Sequence, residues 1–143
     1  MEIKKLEGII KMSNDNNEKY QIHMLPKFDF LQSMDVFKMA GEVKEKWFNQ
    51  TLCKVNNHLV RLGVFNEGEF HWHKHDDTDE FFYVLSGELF IEFEDDKKVV
   101  QTICLKQQHG FCVPKGAMHR PYVKVPTTVL MIEGDSVSPT GET

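Results

Sequence analysis

The residues capable of chemistry are concentrated in one stretch, Gly68-Glu-Phe-His-Trp-His-Lys-His-Asp-Asp-Thr-Asp-Glu80. Alternate side chains of a strand share a face, so this spacing predicts that His71, His73 and His75 point the same way. Histidines two apart lie about 6.6–6.8 Å apart along a strand, and imidazoles leaning toward one point can share a metal at about 2.0–2.2 Å. Glu80 follows a polar turn over 76–79 and is expected to return on the next strand facing the same interior. Imidazoles on an inward face need partners, because burying them unpaired is costly.

A second stretch, Gly110-Phe-Cys-Val-Pro114-Lys-Gly116-Ala-Met-His119, reads as a strand, a Pro-x-Gly turn and a histidine opening the next strand. Pro114 ends the strand and Gly116 can take a backbone conformation closed to bulkier residues, which together fix where His119 emerges. His23, His58 and His109 are expected to be superficial or structural. Arg61 and Arg120 are the cations that could anchor an acidic substrate, although a surface position is expected for both. Glu88, Glu92 and Glu94 alternate with Phe90 as a charged outer face. Phe82 and Val84 share the parity of Glu80 and are candidates to line a cavity, with Phe111, Val113, Tyr122 and Met131 as further candidates.

The elements that must hold these residues are mostly strands. Apolar or β-branched runs at 51–55, 58–65, 70–75, 80–86, 88–93, 99–105, 111–114, 119–125 and 127–132 are separated by turn residues such as Asn56-Asn57, Ser86-Gly87 and Lys115-Gly116. That rhythm predicts an all-β sandwich or barrel. The run 80–86 is apolar on both faces and is expected to be covered outside by the N-terminal segment or a second subunit. Asp29 can cap a helix, and Leu31, Met34 and Phe37 recur at threes, so one amphipathic helix is expected within 28–46. The reading divides the chain into an N-terminal extension over 1–50, a barrel over 51–135 and an extended tail over 136–143. A polar loop is expected at 13–17.

The two stretches together resemble the cupin superfamily, in particular its small single-domain members of the type-2, mannose-6-phosphate isomerase-like kind. The first cupin motif is matched by His73-x-His75-x4-Glu80-x6-Gly87, with Gly68 one residue closer than the pattern asks. The second is matched by Pro114-x-Gly116-x2-His119, with Gln108 in place of its first glycine and Val123 in place of its final asparagine. The resemblance spans about 51–143. It implies a double-stranded β-helix, or jelly-roll barrel, with His73, His75, Glu80 and His119 as ligands of one divalent transition metal. Such a donor set suits Fe, Mn, Ni, Zn or Cu without choosing among them. It further implies a metal-dependent enzyme on a small organic molecule, of oxygenase, isomerase or lyase type, or else a non-catalytic binding or sensing protein. Small single-domain cupins often pair, so a homodimer is implied. His71 has no counterpart in the motif and is assigned as an acid–base group or a hydrogen-bonding neighbour of the ligands.

The bulk composition agrees. With 41% hydrophobic and 27% charged residues over 143 positions, the chain is expected to fold as one domain. A net charge of −5 argues against nucleic acid as a partner, since that binding rests on neutralising phosphates. No apolar run approaches the roughly 18 residues of a membrane span. Cys53, Cys104 and Cys112 have no CxxC spacing and are expected to be reduced, mostly buried thiols of a cytoplasmic protein.

Overall fold

A computed structural model describes residues 9–11, as backbone, and 19–143. The polar loop expected at 13–17 lies outside the described residues. Eleven strands are described: β1 (Ile9–Lys11), β2 (Gln21–His23), β3 (Trp47–Val55), β4 (His58–Phe65), β5 (Gly68–Glu69), β6 (Glu80–Ser86), β7 (Glu88–Glu94), β8 (Val100–Lys106), β9 (Gly110–Val113), β10 (His119–Val123) and β11 (Thr127–Gly134). One sheet runs β1-β2-β3-β4-β11-β6-β9 and the other β5-β10-β7-β8.

Period-two alternation decides which side chains enter the space between the sheets. In β6 the buried residues are Glu80, Phe82 and Val84, and in β11 they are Thr127, Val129, Met131 and Glu133. From the smaller sheet Leu89, Ile91, Leu105 and Val123 meet them, closing an apolar core with Trp47, Phe65 and Phe70. Trp47 stacks on Phe65 with ring centroids 3.9 Å apart. The polar exceptions on these inner faces are therefore costly and specific.

The larger sheet is also covered outside. Leu52, Leu62 and Val64 of β3 and β4 are buried there beneath Phe28, Met34, Val36, Met39, Ala40 and Val43, and of the run 80–86 expected to be covered Leu85 packs against the same cluster. The N-terminal segment gives this cover mostly without helix. The helix expected within 28–46 is a single short one, α1 (Val36–Gly41), capped by Asp35, whose side chain accepts from the Lys38 backbone N–H at 2.9 Å. Leu31 has φ of 64°, which stops any helix beginning at Asp29. The apolar residues at threes do not share one buried face: Phe30, Leu31 and Phe37 are exposed while Met34 packs on the sheet.

Candidate metal centre

The site is built first by backbone pairing. His73 and His119 exchange both main-chain hydrogen bonds, at 3.0 and 2.8 Å, which sets the two ligand positions side by side. The Gly116 N–H donates to the His75 carbonyl at 2.8 Å, tying the Pro-x-Gly turn to the histidine strand, and Gly116 takes φ of +83° as that turn requires. Glu80 opens β6 opposite Val113 of β9 and Glu133 of β11.

One residue too many lies between the two ends of the 68–75 stretch. Glu69 pairs with Tyr122 and Phe70 donates to the Pro121 carbonyl, whereas His73 pairs with His119. His71 and Trp72 therefore stand together opposite Arg120, as in a β-bulge, and the alternation changes phase there. This corrects the expectation that His71, His73 and His75 share one face along an unbroken strand at 70–75. Phe70, His73 and His75 are buried, while His71 is half-buried.

His73, His75, Glu80 and His119 are all buried, and their ligand atoms lie within 4.8 Å of one another. Nδ1 of His73 donates to the His71 carbonyl and Nδ1 of His119 to the Ala117 carbonyl, both at 2.9 Å. That spends the single proton of each neutral imidazole and turns its Nε2 lone pair inward. Glu80 Oε1 then stands 3.2 Å from His119 Nε2 and 3.4 Å from His75 Nε2. One carboxylate oxygen thus faces two imidazole nitrogens, an arrangement held together by a proton on an imidazole or by a cation among them. Neighbouring ligands of an ion bound at about 2.0–2.2 Å are separated by about 3.0 Å, so the spacing suits a metal. Nδ1 of His75 has no hydrogen-bond partner among the described residues.

The electrostatics run the same way. Burial, helped by the neighbouring His119, pushes His73 down to about 3, leaving it a neutral ligand at ordinary pH. At His75 burial also pulls downward, but the hydrogen bond and charge of Glu80 outweigh it and raise the imidazole. Burial favours the neutral form of Glu80, yet hydrogen bonds from His119 and His75 hold it well below the usual carboxylate range.

The cluster faces a small cavity with about 30 Å³ of free space. Of the residues with the expected lining parity, Phe82 and Met131 line it. Val84 and Val113 are core residues, Phe111 is half-buried, and Tyr122 stacks on Phe90 at 5.0 Å. Arg120 ion-pairs with Glu92 across β10 and β7, as a surface position suggests. Arg61 is the opposite case. Only 3% exposed, it lines the cavity with Asn49 and Glu133, against the surface position expected of it. The signal was present: Arg61 interrupts the apolar run Leu59–Phe65, and Glu133 shares the parity of Met131.

The tail is no free extension. Lys74 and Glu142 exchange backbone hydrogen bonds at 2.8 and 2.7 Å, and His71 Nε2 donates to the Thr140 carbonyl at 2.8 Å. Pro139 lines the cavity, and Gly141, with φ of +73°, lies so close to His73 that a Cβ there would stand 2.4 Å from its ring. Cys104 and Cys112 are exposed and Cys53 half-buried, contrary to the buried thiols expected, and all three are free. His58 and His109 are exposed and His23 half-buried, outside the four-ligand cluster.

Residues 63–133 match the family model of the Cupin domain. A solved cupin-2 domain protein from Shewanella frigidimarina is 32% identical, with a TM-score of 0.62, over 71% of this chain and 93% of its own. This chain belongs to the cupin superfamily. Its cupin fold is also similar to that of an oxalate decarboxylase from Bacillus subtilis, at 19% identity and a TM-score of 0.53, covering 60% of this chain and 24% of the other. Among curated proteins the cupin is 44% identical over 99 residues to the uncharacterized protein YdbB of Bacillus subtilis, covering 69% of this chain and 83% of that protein. Among the described residues, no helix of this cupin is long and apolar enough to cross a membrane.

Proposed function

We propose that this cupin holds one divalent transition metal on His73, His75, Glu80 and His119 and acts as a metal-dependent enzyme on a small organic molecule. The observation that carries the reading is the set of four buried ligand-type side chains whose donor atoms lie within 4.8 Å of one another at the wall of a cavity. A metal held there would supply Lewis acidity and ligand positions for substrate oxygen. The chain's own residues do the rest. The carbonyls of His71 and Ala117 fix the tautomers of His73 and His119, Phe70, Phe82 and Met131 exclude water, and Glu80 serves as ligand rather than base. His71 acts as a positioning residue. Its carbonyl orients His73 and its ring holds the tail, while Nδ1 remains open as an acceptor.

A non-catalytic ligand carrier is the second reading, favoured by the engagement of His71 Nε2 with Thr140, which removes the nearest imidazole donor from acid–base duty. Elemental analysis of the full chain purified without an affinity tag tests the metal, with about one equivalent expected. No bound transition metal overturns the proposal. Oxygen uptake or product formation by Fe(II)-loaded protein with diols, catechols or hydroxy acids separates enzyme from carrier.

The free cysteines suit a reducing, cytoplasmic setting. The exposed Phe30, Leu31 and Phe37 support pairing with a second copy through the N-terminal segment. Light scattering of the full chain should give a dimer, and Phe30→Ser with Phe37→Ser should give a monomer.

A further inference from the structure

The cavity has a second polar wall, built on the larger sheet and meeting the four-residue cluster where Glu133 stands opposite Glu80 on the neighbouring strand. Arg61 donates from Nε to Thr51 Oγ1 at 3.0 Å, from Nη1 to Glu133 Oε2 at 3.2 Å and from Nη2 to Asn49 Oδ1. A guanidinium carries five N–H donors, so one on each terminal nitrogen is left over. Glu133 is 2% exposed, and its Oε1 has no hydrogen-bond partner among the described residues. Residues of β3, β4 and β11 thus place a fixed guanidinium edge and an unpaired carboxyl oxygen in one cavity.

Such a wall is expensive as mere structure. Well-packed apolar residues of similar volume fold as well as or better than a buried ion pair, and an unpaired buried oxygen adds a desolvation cost of its own. Both costs fall when a ligand supplies the missing partners. Two open N–H groups on a cation call for a carboxylate. An oxygen beside them calls for a hydroxyl, which can donate or accept and so fits Glu133 whichever form that carboxyl takes. The free space of the cavity, about 30 Å³, has room for about two waters and limits the ligand to a few heavy atoms.

We infer that Arg61 and Glu133 anchor the organic ligand of this cupin, and that this ligand is a small hydroxylated carboxylic acid, its carboxylate on Arg61 and its hydroxyl on Glu133. The inference rests on the metal-site reading above, since the same carboxylate and hydroxyl oxygens keep lone pairs free for the His73–His75–Glu80–His119 cluster. It makes Arg61 and Glu133 specificity-determining residues.

The test is calorimetric titration of the full chain, loaded with Zn²⁺, with glycolate, acetate and ethylene glycol. Glycolate should bind at least tenfold more tightly than either molecule lacking one of its two groups. Arg61→Lys should weaken glycolate at least tenfold at unchanged zinc content, because an ammonium cannot reproduce the forked geometry. Glu133→Met should abolish the preference for glycolate over acetate. Should that variant fail to fold, Arg61→Lys decides alone. Equal glycolate affinity in wild type and Arg61→Lys, or no preference for glycolate over acetate in wild type, overturns the inference. Failure of the metal reading shows separately, as no zinc retained by the wild type. In that case glycolate is titrated into the metal-free chain, and absence of binding overturns the anchor as well.

Discussion

The two polar walls of the cavity are buried to the same degree and satisfied in opposite ways. On the histidine wall each Nδ1 of His73 and His119 is spent on a main-chain carbonyl, and the nitrogens left over confront Glu80. On the Arg61 wall side chains satisfy one another, cation against carboxylate, amide and hydroxyl. The first wall is short of positive charge and complete only with a cation. The second is nearly neutral by itself and can be formed before any ligand arrives. A site with one wall short of a cation and one wall of mutually bonded side chains, open only at Glu133 Oε1 and two N–H groups, is preorganised where a ligand would be held.

The strongest way to break this contrast is to remove a ligand. His75→Ala should abolish most metal occupancy, measured by elemental analysis, and with it the rise in melting temperature that added metal gives the wild type. Occupancy unchanged in that variant removes the four-residue site. On the opposite wall Arg61→Met should lower stability by about 1–3 kcal/mol, read by chemical denaturation of the metal-free chain, because it leaves Asn49, Thr51 and Glu133 without their buried partner. The double variant with Glu133→Met should recover most of that loss, which no change on the histidine wall can imitate.

Acid should separate the walls next. His73 has a folded-state pKa of about 3, below its unfolded value near 6.5, so the unfolded chain binds more protons between those limits. Its contribution is full above about pH 6.5 and drains away by up to about 1.4 kcal/mol per unit as pH falls toward 3. Glu80, held low, adds a loss in the same direction below the ordinary carboxylate range. His75, held high, opposes with a contribution that fades as pH rises. Glu133, raised to about 8 by burial and by Glu80 beside it, opposes as well, its contribution growing as pH falls from 8 to about 4.5. Denaturation of the metal-free chain at pH 7, 6, 5, 4 and 3.5 should therefore show little net change down to about pH 4.5 and stability falling with acid below it. The smallest effect is expected from Gly141→Ala, which forces a side chain into φ of +73° against the His73 ring and should cost about 1–3 kcal/mol, with a weakened metal affinity.

The clustering of His73, His75 and His119 was legible in the sequence because spacing two apart and a Pro-x-Gly turn are local signals. The barrel was legible because alternation and turn residues recur along the chain. Three features were hidden. The bulge at His71–Trp72 leaves no mark in a run of alternating histidines, since only pairing with β10 shows the extra residue. Residues 28–46 have helix-like spacing, yet the larger sheet buries Phe28, Met34 and Met39 from an irregular chain and leaves Phe30 and Phe37 outside. Arg61 looked like surface because lone arginines usually are. Its three partners, Asn49, Thr51 and Glu133, come from two other strands, the last 72 positions away.

The tail across the mouth also gives the site a clock. The amides of Lys74 and Glu142 are bonded only through an isolated bridge, while those of β11 lie between two strands. Deuterium should enter the first pair well before the second, and its rate of entry counts how often the tail peels away. Placing a ligand in the cavity that Pro139 lines should slow that count, so two backbone hydrogens, one of them between His73 and His75, report on traffic into the site.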